Sequence, residues 1–266
     1  MPLARLLRIV RALVRIDLAI FVEYRATVVI WMLAGFLPLM MMVVWRHIAE
    51  TEAVGGFDAA GFARYFLLVF LVQQSQQVWV IWNIDYQLRT GTLAIGLLRP
   101  YDPLISEVVE NVTANVFRLP LVLVVVIAGL IATGALGGFI WAQLPLFLLA
   151  VVGGWAVKFN MHYCLALLGL WTERARSFDG WFYLAASALG GGLFPLALMP
   201  EGIKRVVALT PFPLLVAFPI DLATRPLGIS DILLGFAIQA GWTLLFFTLH
   251  RMLWRQGIKH FGATGG

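Results

Sequence analysis

Six stretches of this chain stay apolar for long enough to cross a bilayer as helices: approximately Thr27–Trp45, Phe62–Ile84, Asn115–Thr133, Trp141–Trp171, Trp181–Met199 and Ile232–Trp254. Crossing about 30 Å of hydrocarbon takes roughly 20 helical residues at 1.5 Å each. A soluble domain carries about 25% charged residues; here charged residues are 12% and hydrophobic ones 61%, too few charges to cover a globular surface. In lipid every backbone polar group must find its partner internally, and apolar runs of this length do so as helices. The expected fold class is therefore all-α, a polytopic membrane protein of six transmembrane helices. Trp31, Trp45, Trp82, Trp141, Trp171, Trp181 and Trp254 stand near many of the ends, where interfacial aromatics belong. Pro38, Pro120, Pro145 and Pro195 fall within or near spans and read as kinks.

Residues Leu3 to Tyr24 are a different kind of helix. Arg5, Arg8, Arg11 and Arg15 recur at three- and four-residue spacing and form one stripe, while Leu6, Ile9, Val10, Leu13, Val14 and Ile16 cover the other face. Such a helix lies in the headgroup plane, with arginines on lipid phosphates and aliphatics in the acyl boundary. An organellar transit peptide has the same composition and is the competing reading. No small-residue cleavage site separates this segment from the first span, which argues against a removable signal peptide.

Orientation follows from the basic residues. One side collects Arg5, Arg8, Arg11, Arg15, Arg25, Arg89, Arg99, Arg118, Arg174, Arg176, Arg251, Arg255 and Lys259; the other has Arg46, Arg64, Lys204, Arg205 and Arg225. The richer side is cytoplasmic by the positive-inside rule, which puts both termini inside. The formal charge of +5 therefore reports topology and is no sign of nucleic-acid binding.

Several chemistries are excluded. The three lysines, Lys158, Lys204 and Lys259, are followed by Phe159, Arg205 and His260, so none completes the phosphate cradle G-x-x-x-x-G-K-[ST]. His47, His162, His250 and His260 are scattered, and no Cys/His spacing suggests a metal site. Cys164 has no partner for a disulfide and reads as a small buried hydrophobe. No Gly-x-Ser-x-Gly elbow is present. The chain is expected to hold no cofactor and to have no enzymatic activity of its own.

Three features carry functional expectations. The cytoplasmic segment from Asp85 to Pro103 is amphipathic and sets Leu93, Ile95, Leu97 and Leu98, expected to be exposed, between Arg89 and Arg99. It is either a helix resting on lipid or one that docks into a groove on a soluble partner. Gln73, Gln74, Gln76 and Gln77 fall in the middle of the second run, where amides must bond across helices or face water. Gln73 and Gln77 share a helical face, so they either glue helices together or line a path. Lys158 lies near mid-membrane with His162 one turn further on, and no acidic residue stands at comparable depth in any span. It either snorkels or meets an anionic or polar group in a path or a partner subunit.

Taken together, Glu23-Tyr24-Arg25 before a Trp31-containing span, Arg89-Thr90-Gly91-Thr92-Leu93 with Leu97-Leu98-Arg99-Pro100, and the outer stretch Phe194 to Gly202 followed by Pro211-Phe212-Pro213 and Phe218-Pro219 resemble permease subunits of ABC-2-type transporters. The resemblance covers essentially the whole chain. It implies a bacterial inner-membrane exporter permease with an amphipathic elbow helix over 1–26 and a permease domain over 27–266. It also implies short half-inserted helices within 195–231, and a coupling helix within 85–114 that receives the motion of a separate cytoplasmic ATPase. Residue by residue, coupling falls to Arg89, Thr90, Gly91, Leu93, Leu97, Leu98, Arg99 and Pro100. The implied partners are two such ATPases, which hold the ATP and Mg, and a second permease copy or a homologous one. Two other classes stay open: a stand-alone channel or secondary carrier, and an intramembrane lipid-modifying enzyme that would use Lys158 and His162.

Overall fold

The computed structural model describes residues 3–172, 176–259 and 261. Arg174, which entered the arginine count, and His260 lie outside the described residues. Among the described residues the regular structure is helical, apart from a single bridge between Val54 and Phe57. The helices are α1 (Leu3–Glu23), α2 (Arg25–Ala34), α3 (Leu37–Ile48), α4 (Ala59–Ser75), α5 (Val80–Arg89), α6 (Thr92–Leu97), α7 (Pro103–Ala132), α8 (Leu144–Leu167), α9 (Ser177–Leu189), α10 (Glu201–Ala208), α11 (Ala217–Thr224) and α12 (Ile229–Gly257).

Four helical stretches are long and apolar enough to cross a membrane: Arg25–Ile48, Pro103–Ala132, Trp141–Leu170 and Ile229–Gly257. They correspond to the first, third, fourth and sixth expected runs. The other two are not continuous long helices. The second run is split into α4 and α5 by residues 76–79, and the fifth is the 13-residue α9, which stops at Gly190.

α4 runs through the buried core of the bundle. Asp58 caps its start by accepting the Gly61 N–H at 2.7 Å, a side-chain bond that satisfies one of the orphan donors of the first turn. Phe62, Phe66 and Phe70 recur every fourth residue along it and are fully buried, together with Val69 and Val72. α3, α7, α8 and α11 pack around this helix. Trp45 of α3 stacks on Phe62 with ring centroids 5.2 Å apart.

The second run breaks where its polar amides stand, and α7 closes the break. The Trp79 N–H donates to Asn111 Oδ1 at 2.9 Å, and Asn115 Nδ2 donates to the Gln77 carbonyl at 3.1 Å. Backbone freed from a helix at membrane depth is tolerated when neighbouring side chains satisfy it in this way. The first run has a matching interruption at Gly35, where Gln74 Nε2 donates to the Met32 carbonyl at 2.9 Å. A Cβ on Gly35 would collide with that same Gln74 amide. The expectation that Gln73 and Gln77 share a helical face fails, because the helix ends between them.

α7 also corrects the third run. Hydropathy begins at Asn115, but the helix starts at Pro103, with Asp102 accepting the Leu104 N–H at 3.0 Å. Asp at the cap with Pro in the first turn is a strong start signal. Much of the expected loop 85–114 is therefore helical. Arg118, counted with the cytoplasmic-side arginines, sits well inside α7 and is buried.

Between α9 and α12 the chain makes only short pieces: a 3-10 turn at Leu196–Leu198, α10, a second turn at Phe212–Leu214, and α11. α9 ends in a break at Gly191, whose φ of +89° is a left-handed conformation that favours glycine. The freed Gly191 carbonyl accepts the Tyr65 hydroxyl at 2.7 Å.

Candidate functional site

The two helix breaks and the start of α9 converge on one cavity of about 370 Å³. Trp31, Gly35 and Pro38 come from the α2–α3 kink, Gln73, Gln76, Gln77 and Trp79 from the α4–α5 break, Lys158 from α8, and Asp179 and Tyr183 from α9. Polar side chains reach this depth because each break leaves backbone to be bonded and space beside it. Gln76 turns back into the wall, its Nε2 donating to the Val151 carbonyl at 3.0 Å. The side-chain amides of Gln73 and Gln77 make no hydrogen bond among the described residues.

Of the four expected path residues, Gln73, Gln77 and Lys158 line this cavity and His162 does not. His162 is fully buried behind the wall, its ring 4.2 Å edge-on from Phe182. Its two nitrogens have no hydrogen-bond partner among the described residues, and Nδ1 stands 3.7 Å from Asp179 Oδ1. Lys158 Nζ lies 5.1 Å from the centroid of the Tyr183 ring, a cation–π approach.

Sequence reasoning missed Asp179, the acidic residue facing Lys158 and His162. Starting the fifth run at Trp181 left it outside; α9 begins at Ser177 and carries it in its first turn. Asp179 Oδ2 accepts Trp82 Nε1–H at 2.9 Å, and the Arg176 guanidinium stacks 3.3 Å above the Trp82 ring. Trp31 and Trp82, expected as interfacial aromatics, line the cavity instead.

A second cavity of about 330 Å³ shares Trp31, Trp79 and Trp82 with the first and reaches α1 through Ile20 and Phe21. Glu110 and Arg118 of α7 line it. Asn83 Nδ2 donates to both Glu107 and Glu110, at 3.1 and 3.0 Å, and Gln87 donates to Glu107 at 2.9 Å. Burial raises the pKa of the Asp17 carboxyl of α1 from its ordinary value. Arg5, Arg8, Arg11 and Arg15 are all exposed and take no part in either cavity, while Leu6, Ile9, Val10, Leu13 and Val14 are half-buried.

The expected coupling residues cluster at the far end of α5. Arg89 Nε bonds Asp85 Oδ2 at 2.9 Å, and Thr90 Oγ1 donates to the Tyr86 carbonyl at 2.8 Å. Gly91, at φ +71°, turns the chain into the six-residue α6. Leu97 and Leu98 are exposed, Leu98 to 86%, as are Arg99 and Pro100. Leu93 corrects the expected exposed set: it is 1% exposed and anchors α6 to the body. Arg251 of α12 bonds Asp102 at 2.6 Å and fixes the end of the loop.

The sequence profile of the ABC-2 family transporter proteins matches residues 29–265 of this chain. The chain belongs to that family. An ABC-2 chain is a membrane component of transport rather than a catalyst, and its apolar helices are the membrane part of such a system. No curated protein matches the chain.

Proposed function

We propose that this chain is the permease subunit of an ATP-driven exporter in a bacterial inner membrane. It works as a dimer with a second permease, and cytoplasmic ATPase subunits drive it. The observation that carries this reading is the place of α5 in an ABC-2 family chain. α5 is about 15 Å long at 1.5 Å per residue; one end meets the helix break and carries Trp79 and Trp82 into the cavity, and the other carries Arg89 and the loop to Pro100. A short rigid helix between a break and an exposed loop is a lever. A closing ATPase that engages Leu97, Leu98 and Arg99 moves α6 and α5 together about residues 76–79 and reshapes the cavity.

In this reading α4 with α5, and α9 with the segment after it, complete six crossings, and both termini face the cytoplasm by the distribution of arginines. α10 and α11 are half-inserted from the outer side, and α1 lies at the cytoplasmic headgroups with its arginines on phosphates. The ATP and Mg belong to the partner.

The Leu97→Asp, Leu98→Asp double variant tests the coupling. Both side chains are exposed, so membrane insertion and stability stay unchanged while association with the ATPase is lost. Undiminished association would refute the assignment.

A further inference from the structure

We propose that the cavity at Lys158 takes the anionic head of an amphiphile, a phosphate or carboxylate, with the apolar body against Trp31, Trp79 and Trp82. The proposal rests on reading this cavity as part of the transport path. Lys158 is buried, yet among the described residues its ammonium has no hydrogen bond or ion pair, only the face of Tyr183 at 5.1 Å. Asp179 acts on it electrostatically, but Asp179 Oδ2 is taken by the Trp82 indole and Oδ1 faces His162.

Arg118 repeats the pattern. It is 4% exposed, and among the described residues its guanidinium bonds only neutral acceptors, the Ala114 carbonyl at 3.2 Å and Asn115 Oδ1 at 2.7 Å. The carboxylate in its cavity, Glu110, accepts from Asn83 and has no ion pair among the described residues.

Unpaired charge at membrane depth is costly and is retained where a partner or ligand compensates it. The amides of Gln73 and Gln77, which make no hydrogen bond among the described residues, add N–H donors that fit phosphate or carboxylate oxygens. The three tryptophans common to both cavities supply the apolar bed. Lys158 lines this cavity and Arg118 the adjoining one; a cationic ligand would compete with Lys158, and a neutral one would leave its ammonium without an ion pair.

The test uses the full chain in phosphatidylcholine nanodiscs, with quenching of tryptophan fluorescence by octyl phosphate, octyl glucoside and octyltrimethylammonium. The unsubstituted chain is expected to bind octyl phosphate at least tenfold more tightly than the other two. Lys158→Gln abolishes that preference and Lys158→Arg keeps it. Asp179→Asn keeps an oxygen for Trp82 and removes the competing charge, so it tightens octyl phosphate binding several-fold.

Adding phosphatidylglycerol distinguishes the source. Competition with octyl phosphate that vanishes in Lys158→Gln identifies a lipid headgroup, and no competition identifies a free amphiphilic anion. Equal affinity for the three probes, tighter binding of the cation, or an unchanged preference in Lys158→Gln would overturn the proposal. If Lys158→Gln does not insert, Asp179→Asn decides, and no gain in affinity overturns it. Because no ATPase is present, failure of this binding test and failure of the permease reading are told apart: the first shows in probe affinity, the second in whether an ATPase accompanies the chain.

Discussion

The Trp82 indole donates to Asp179 Oδ2 at 2.9 Å, and this bond ties α5 to α9 in the lining of the cavity. α9 packs on α8, the helix that carries Lys158, so α5 is tied to the wall that carries the charge. Trp82→Phe keeps an aromatic ring under Arg176 and removes the donor. Leaving a buried carboxylate oxygen without its donor costs about 1–3 kcal/mol, so thermal unfolding of the purified chain should show that loss. Trp141→Phe, at a site 72% exposed, should leave stability unchanged.

The α4–α5 break depends on α7. Asn111→Leu is similar in size but withdraws the acceptor from the Trp79 N–H. An unsatisfied buried amide costs about 1–3 kcal/mol. Hydrogen exchange should rise at residues 76–80 before it rises in α4.

Leu93 and Leu98 stand on one loop and behave oppositely. Leu93→Asp buries a charge where the side chain is 1% exposed and should abolish stable insertion, since an unpaired buried charge costs several kcal/mol. Leu98→Asp should insert and resist proteolysis like the unsubstituted chain. Protease resistance in membrane vesicles separates the two.

Gly191→Ala forces a side chain into a left-handed residue, with its Cβ 2.6 Å from the Tyr65 hydroxyl. The conformation alone costs about 1–2 kcal/mol, and losing the Tyr65 bond adds to it. Gly202→Ala, inside α10 with open space around it, should be neutral or stabilise by up to about 1 kcal/mol. Melting temperatures of the two variants should move in opposite directions or differ by several degrees.

Much of this architecture was legible along the chain, and the gaps share one cause. Hydropathy registers the apolar content of a segment and is blind to where its backbone finds hydrogen bonds. It located four crossings, while the arginine stripe located α1, but it drew one helix through residues 76–79, where Asn111 and Asn115 from a distant helix hold the chain open. It began the third run at Asn115 because Glu107, Glu110 and Asn111 are polar, although Asp102-Pro103 is a helix start. Gln73, Gln77 and Lys158 stood out as polar residues in apolar runs, and one cavity gathers them. Asp179 did not stand out because it was left in a loop that the structure makes the first turn of α9, and Arg118, near the start of the third run, was counted only as a cytoplasmic-side arginine. His162 has the same sequence signal as Lys158, yet the ring of Phe182 closes it off.

The permease reading is tested most directly by isolating the tagged chain from its native membrane in mild detergent and identifying what comes with it. A soluble ATPase bearing G-x-x-x-x-G-K-[ST], in comparable amount and lost with Leu97→Asp, Leu98→Asp, is the predicted result. A chain that comes away without any such ATPase, and still moves solute across vesicles when reconstituted alone, would contradict it.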